Sequence, residues 1–204
     1  MLKGNVDICI MAHPSRKENV QKIQQALSLS DNSIFWDDRE NGGDAMYTAK
    51  KAWQSPIPEG CTHRLVFQDD AQVCNNFLDI LNIVAQKYPN EVVTFLHSED
   101  LSPEQRYYLS NTFSLGCAIM IPVKYLNKMW WFIDNRIEVF LKPQCPEILK
   151  RDTSCIRAWM RHYNIKGVTT VPSLVQHIGD ESLVGIKRHR VAPDFTMNPP
   201  LEGW

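Results

Sequence analysis

The chain has 204 residues, 44% of them hydrophobic and 22% charged, with a formal net charge of −1. Such a chain makes one domain, with at most a small C-terminal extension, and buries a core without staples. Its apolar N-terminal run, Val6 to Ala12, soon meets His13-Pro14 and is too short for a signal peptide or a membrane span, so a cytoplasmic location is expected.

In chain order, VDICIMA (6–12) reads as a buried strand and SRKENVQKIQQALSL (15–29) as a helix with an apolar stripe of Val20, Ile23, Leu27 and Leu29. Ser15, with Glu18 three residues on, makes a capping box for that helix. SIFW (33–36) is a second strand, ending at Asp37-Asp38-Arg39, and beyond a Gly42-Gly43 loop DAMYTAKKAWQ (44–54) is a helix stopped by Pro56 and Pro58. A strand over 64–68, a helix over 75–87 and a strand over 92–96 complete an alternation that predicts a parallel, doubly wound α/β sheet. Its strands are continuous apolar runs, as strands covered on both faces must be.

After residue 100 the pattern changes. SLGCAIMIP (114–122) reads as a strand in which Gly116 allows a close backbone approach, and VKYLNKMWWFID (123–134) as a helix with an aromatic end. DTSCIRAWMRHYN (152–164) is a helix with Asp152 at its N-cap, and GVTTVPSLVQHIG (167–179) is a strand followed by a loop. No repeat is present, and the tail from Pro193 either moves freely or wraps the body.

Ligands of doubly wound sheets collect outside the carboxyl ends of the strands. Three predicted strand ends carry polar clusters: His13-Pro14-Ser15-Arg16, Asp37-Asp38-Arg39 and Asp69-Asp70. Two adjacent carboxylates repel each other and resist desolvation unless something compensates. Asp69-Asp70 is either a solvated turn or a divalent-metal site. The six cysteines (Cys9, Cys61, Cys74, Cys117, Cys145, Cys155) form no C-x-x-C pair and read as reduced, packed thiols. Charge is uneven: residues 1–115 carry a net of −5, residues 116–190 a net of +6 and residues 191–204 a net of −2. The basic segment suits a polyanion or is ordinary solvated helix surface.

The segments CIMAHPSR, FWDDRENGG, TAKKAWQ, LVFQDDAQVC, VPSLVQHIGDESLVG and HRVAPDF, in that order, resemble nucleotide-sugar glycosyltransferases of the GT-A fold, most nearly the small ones encoded by bacteriophages. The resemblance runs from about Val6 to Phe195. Gln68-Asp69-Asp70 resembles the family's Asp-x-Asp metal motif in a shifted form, and PSLVQHIG resembles the segment whose His completes the metal shell. The implied fold is a GT-A-like, Rossmann-type, mostly parallel sheet with helices on both faces and a mixed acceptor-side region. Residues 1–100 would bind the nucleotide sugar, 101–192 would form the acceptor and catalytic half, and 193–204 the tail.

The resemblance implies a metal-dependent transfer of a sugar from a nucleotide-diphosphate donor, a UDP-sugar above others, to an acceptor hydroxyl. Mn²⁺ or Mg²⁺ would neutralise the leaving diphosphate, and hard oxygen ligands with one imidazole suit Mn²⁺. Asp70 is then the direct ligand, His177 the third protein ligand, and Asp69 a contact to ribose or sugar or to the metal through water. Ala12, His13, Pro14 and Arg16 would line the base and ribose with Gln68, Asp37 would bond the uracil or ribose, and Arg39 and Lys51 are candidate cations for the pyrophosphate. Asp152 is the candidate general base of an inverting reaction, although the element here is Arg151-Asp152 where the family carries an acidic pair. Gly116, Trp130, Trp131, Lys187 and Arg188 fall on the acceptor side. The acceptor would be a hydroxymethylated pyrimidine in phage DNA, which the +6 segment fits.

Plainer readings of the same residues stay open. Asp37-Asp38-Arg39 also reads as a polar turn, Lys50 and Lys51 as a solvated helix face, Asp152 as a cap, His177 as a structural histidine, and Trp130-Trp131 as core. Other acceptors (virion protein or a surface glycan) and other functions (a nucleotidyltransferase, a nucleotide-sugar hydrolase, a non-catalytic nucleotide-binding module) are also open, although neither common glycine-rich phosphate loop is present.

Overall fold

The computed structural model describes residues 6–39, 45–97, 107–110, 116–141, 149–178 and 191–204. The expected Gly42-Gly43 loop, Cys145, Lys187 and Arg188 lie outside these residues. Nine strands and six α-helices occur among those described: β1 (Val6–Ala12), α1 (Lys17–Ala26), β2 (Ile34–Trp36), α2 (Ala45–Gln54), β3 (His63–Gln68), β4 (Ala71–Val73), α3 (Phe77–Lys87), β5 (Val92–Thr94), β6 (Tyr107–Ser110), β7 (Ala118–Pro122), α4 (Val123–Asn135), α5 (Ile137–Leu141), α6 (Asp152–His162), β8 (Gly167–Thr170) and β9 (Val175–His177).

Seven strands form one sheet in the order β2-β1-β3-β7-β5-β8-β6. β1 pairs in parallel with both β2 and β3, and β5 pairs in parallel with β8. The sheet is mostly parallel, as expected, and both exceptions fall after residue 100: β7 lies antiparallel between β3 and β5, and β6 lies antiparallel to β8. A strand buried on both faces reads as the same apolar run whichever way it points, so Ala118-Ile119-Met120-Ile121 carries no signal of its direction. Five of the seven strands still run one way, so the chain is an α/β protein with a mostly parallel sheet.

Period-two alternation sends each central strand into two cores. Ile10, Leu65, Phe67, Ala118 and Met120 face one cluster with Val20 and Ile23 of α1 and Phe77, Ile80, Leu81 and Val84 of α3. Cys9, Met11, Val66, Ile119 and Ile121 face the other, with Trp53 of α2, Met129, Trp130 and Phe132 of α4, and Ile156 and Trp159 of α6. Helices therefore cover both faces. One charged residue is buried in this sheet: Arg64 donates to Asp7 through Nε at 2.8 Å and Nη2 at 2.5 Å, and to the carbonyls of Ala52, Trp53, Ser55 and Pro56. Those carbonyls close the C-terminus of α2, where backbone oxygens lack helical partners.

α1 begins later than the sequence suggests. His13, not Ser15, caps the first turn, its Nδ1 accepting from the Ser15 N–H across a short 3-10 turn, Pro14–Arg16. At the other end the tail wraps the body. Ala192 exchanges two hydrogen bonds with the Gln176 side chain, the Asn75 N–H donates to the Met197 carbonyl, and Trp204 packs on the first core. Among the described residues, no helix is long and apolar enough to cross a membrane.

Candidate functional site

β1 and β3 run in parallel, so their carboxyl ends open at the same edge, and the turn after β3 puts Asp69 and Asp70 beside the turn after β1. The His13 N–H donates to Asp69 Oδ2 at 2.6 Å. Arg16 Nη1 donates to Asp69 Oδ1 at 2.8 Å and to Asp70 Oδ2 at 2.7 Å. Asn19, three residues beyond Arg16 on the same helix face, donates its amide to the Asp69 and Ala71 carbonyls. The repulsion between the two carboxylates is therefore met, in this arrangement, by a guanidinium.

His177 arrives from far along the chain. β4 follows the aspartates directly and pairs antiparallel with β9, with Ala71 opposite His177. The Ile178 N–H donates to the Asp70 carbonyl at 2.8 Å, and His177 Nε2 stands 3.2 Å from Asp70 Oδ2. The site's electrostatics follow from these contacts. Burial pushes the Asp70 carboxyl up, but His177 and then Arg16 outweigh it and hold the group below its ordinary value. For Asp69 burial wins over Arg16, and that carboxyl is raised.

The same edge carries Asp152. It is the first residue of α6 and is 3% exposed, so the cap expectation is off by one position. Burial raises its pKa to about 6, against the pull of the Thr153 N–H, Trp53 and Gln68. The Trp53 indole faces the carboxyl without a hydrogen bond of full geometry, since its N–H is unpartnered among the described residues. Gln68 thus adjoins Asp69 in sequence and Asp152 in space, and its own N–H donates to the Cys117 carbonyl at 2.7 Å.

The second strand end is linked through Ala12, whose carbonyl accepts from the Asp37 N–H at 2.7 Å. Arg39 grips Asp37 through Nε at 2.9 Å and Nη2 at 2.8 Å, which holds the Asp37 carboxyl below its ordinary value. Its guanidinium also lies 4.1 Å from the Tyr47 ring centroid. Lys51 donates to the Trp36 carbonyl at 3.0 Å and to Asp38 at 3.2 Å, and Lys50 pairs with Asp134 at 2.7 Å. Asp37 and Arg39 thus pair with each other at this strand end, an arrangement that a polar turn and a ligand-binding turn share.

The acceptor-side residues divide. Trp130 is buried in the second core and offers no stacking face, whereas Trp131 is 52% exposed with the Arg136 guanidinium 5.9 Å from its ring. Gly116 precedes β7 instead of lying inside it, and a Cβ there would meet Leu96 Cβ at 2.8 Å. The close approach it permits is to a side chain of this protein. Four of the five described cysteines are buried and none of the five is in a disulfide, as expected of packed thiols.

Asp69, Asp70 and His177 supply two carboxylates and an imidazole, a donor set that fits Mn²⁺ or Mg²⁺ in kind. Asp70 Oδ1 is buried and has no hydrogen-bond partner among the described residues, as an oxygen awaiting a ligand would be. The three are not yet grouped around one point: among the described residues no cluster of three or more His, Cys, Asp or Glu is arranged to hold a metal. Asn19 and the Gln68–Asp152 contact escape a linear reading, although the Arg16, Asn19 spacing was a usable signal. No protein-family model matches this chain, and neither does any curated protein sequence.

Proposed function

We propose that this protein is a metal-dependent glycosyltransferase of the GT-A type, moving a sugar from a nucleotide-diphosphate donor to an acceptor hydroxyl. The observation that carries the reading is the meeting of Asp69-Asp70 with His177 at the carboxyl edge of a mostly parallel sheet, beside the His13–Arg16 turn. Asp70, His177 and Asp69 would hold the cation, whose chemistry is to neutralise charge on the departing diphosphate. Ala12, His13, Pro14, Arg16, Asp37 and Gln68 would surround the nucleotide and sugar.

In the transfer, the bond from the anomeric carbon to the diphosphate oxygen breaks and its electron pair leaves with the nucleoside diphosphate. The acceptor oxygen bonds the anomeric carbon and its proton passes to Asp152, whose raised pKa makes it a better base than an ordinary carboxylate. Asp152 is nearly closed to solvent, so it serves only an acceptor that uncovers it. The acceptor we favour is a hydroxymethylated pyrimidine of phage DNA, on the charge of residues 116–190.

A second reading, a nucleotide-binding module without turnover, draws on Arg16, which already pairs with both aspartates. Labelled UDP-sugars offered with Mn²⁺ to hydroxymethylpyrimidine DNA, unmodified DNA and virion protein distinguish these. Metal-dependent label on the hydroxymethylated DNA is expected. Label on protein alone overturns the acceptor, and no transfer from any donor alongside a nucleotide-induced rise in melting temperature favours the module.

A further inference from the structure

Two buried carboxylates side by side demand positive charge, and Arg16 supplies it in an unusual way. One nitrogen, Nη1, bridges Asp69 Oδ1 and Asp70 Oδ2 at 2.8 and 2.7 Å, which is where a small cation shared by both would stand. The remaining Asp70 oxygen, Oδ1, is buried without a hydrogen-bond partner among the described residues. A buried acceptor in that state is costly, and a cation is the partner that would relieve it. Arg16 touches both carboxylates and carries the charge that an incoming cation would duplicate. Holding both at once would set like charges within a few ångströms of each other in a poorly solvated place.

The turn has anchors besides Arg16. The Asn19 amide holds the Asp69 and Ala71 carbonyls, the His13 N–H holds Asp69 Oδ2, and the Ile178 N–H holds the Asp70 carbonyl. These anchors hold the backbone of the turn and the Asp69 carboxylate without the guanidinium, and His177 Nε2 stands 3.2 Å from Asp70 Oδ2. Arg16 also sits on the short turn before α1, with its side chain partly exposed, and so has a path to solvent.

We propose that Arg16 is the displaceable counter-cation of the Asp69–Asp70 pair, and that a divalent cation enters by exchange with it. The inference rests on the metal-dependent reading above and adds that the metal-free site is held closed by this chain's own charge. It follows that metal affinity in the absence of nucleotide is set partly by the cost of removing Arg16.

Calorimetric titration of Mn²⁺ without nucleotide, on the full chain, tests this with wild type, Arg16→Gln, Arg16→Lys and Asp70→Asn. Arg16→Gln is expected to bind on the order of tenfold tighter than wild type, the scale of one lost charged contact. Arg16→Lys, with a shorter and more strongly hydrated ammonium, falls between them, and Asp70→Asn binds negligibly. Equal or weaker binding by Arg16→Gln, with Asp70→Asn still abolishing it, overturns the exchange and leaves the metal reading standing. No binding by any of the four overturns both. Nitrogen-15 NMR of the wild-type Arg16 guanidinium guards against a variant that fails to fold. Slowly rotating, hydrogen-bonded Nη protons should be seen without Mg²⁺ and be lost at saturation, and their persistence at saturation overturns the exchange.

Discussion

Replacing Asp152 with Asn separates a carboxyl kept for chemistry from one kept for stability. The unfolded chain ionises Asp152 near 3.8, whereas burial in the fold raises it to about 6. At 1.36 kcal/mol per pH unit, that displacement amounts to about 3 kcal/mol. The folded state binds this proton more tightly than the unfolded state. Its contribution is therefore fully present below about pH 4 and is lost as pH rises through about 6. Above pH 7 the wild type carries a buried, ionised carboxylate at full penalty. Asp152→Asn keeps an oxygen for the Thr153 N–H but has no charge to bury. Urea denaturation from pH 4 to pH 8 should show the variant gaining on wild type as pH rises, by up to about 3 kcal/mol at pH 8. Under the proposed function the same variant loses sugar transfer, so greater stability would accompany lost activity. A stability difference that does not change between pH 4 and pH 8, or a variant less stable at pH 8, would refute the argument.

Three further outcomes are expected. Thermal melts with Mn²⁺ and UDP should show a ligand-dependent rise in wild type that is absent in Asp70→Ala and His177→Ala; a structural histidine would instead lower the melting temperature equally with and without metal. Arg64→Met strands Asp7 and the carbonyls of Ala52, Trp53, Ser55 and Pro56, and should cost about 3–5 kcal/mol by chemical denaturation. Gly116→Ala drives a methyl into Leu96 Cβ at 2.8 Å and should cost about 1–3 kcal/mol; Leu96→Ala does not rescue it, because the atom that is met remains.

Most of the sheet was legible because its strands announce themselves chemically. The apolar runs 6–12 and 64–68 became β1 and β3 almost to the residue, since burial on both faces excludes polar side chains. Arg64 is one exception and the buried His63 another, and nothing in the neighbours of Arg64 marks it as a buried cap for α2. The short strands β4 and β9, three residues each, were not legible. Each depends on the other for its hydrogen bonds, and neither has enough residues to show a period. The site divided in the same way. Asp69 and Asp70 stood out because paired carboxylates after an apolar strand are expensive, and His177 because of the segment around it. Trp130 and Trp131 are adjacent letters on one helix, yet one is core and the other solvent-facing, because successive helical positions point about 100° apart.

The sequence by itself determined that this chain folds as α/β layers and that its polar groups gather where strands end, because both follow from local burial and turn chemistry. Only the tertiary structure decided what those groups face. The β4–β9 register brings His177 onto Asp70 across more than a hundred residues, β7 enters the sheet against the prevailing direction, and Arg16 takes the place between two aspartates where a metal was expected. Charges that close act through distance in space, and distance along the chain does not encode it.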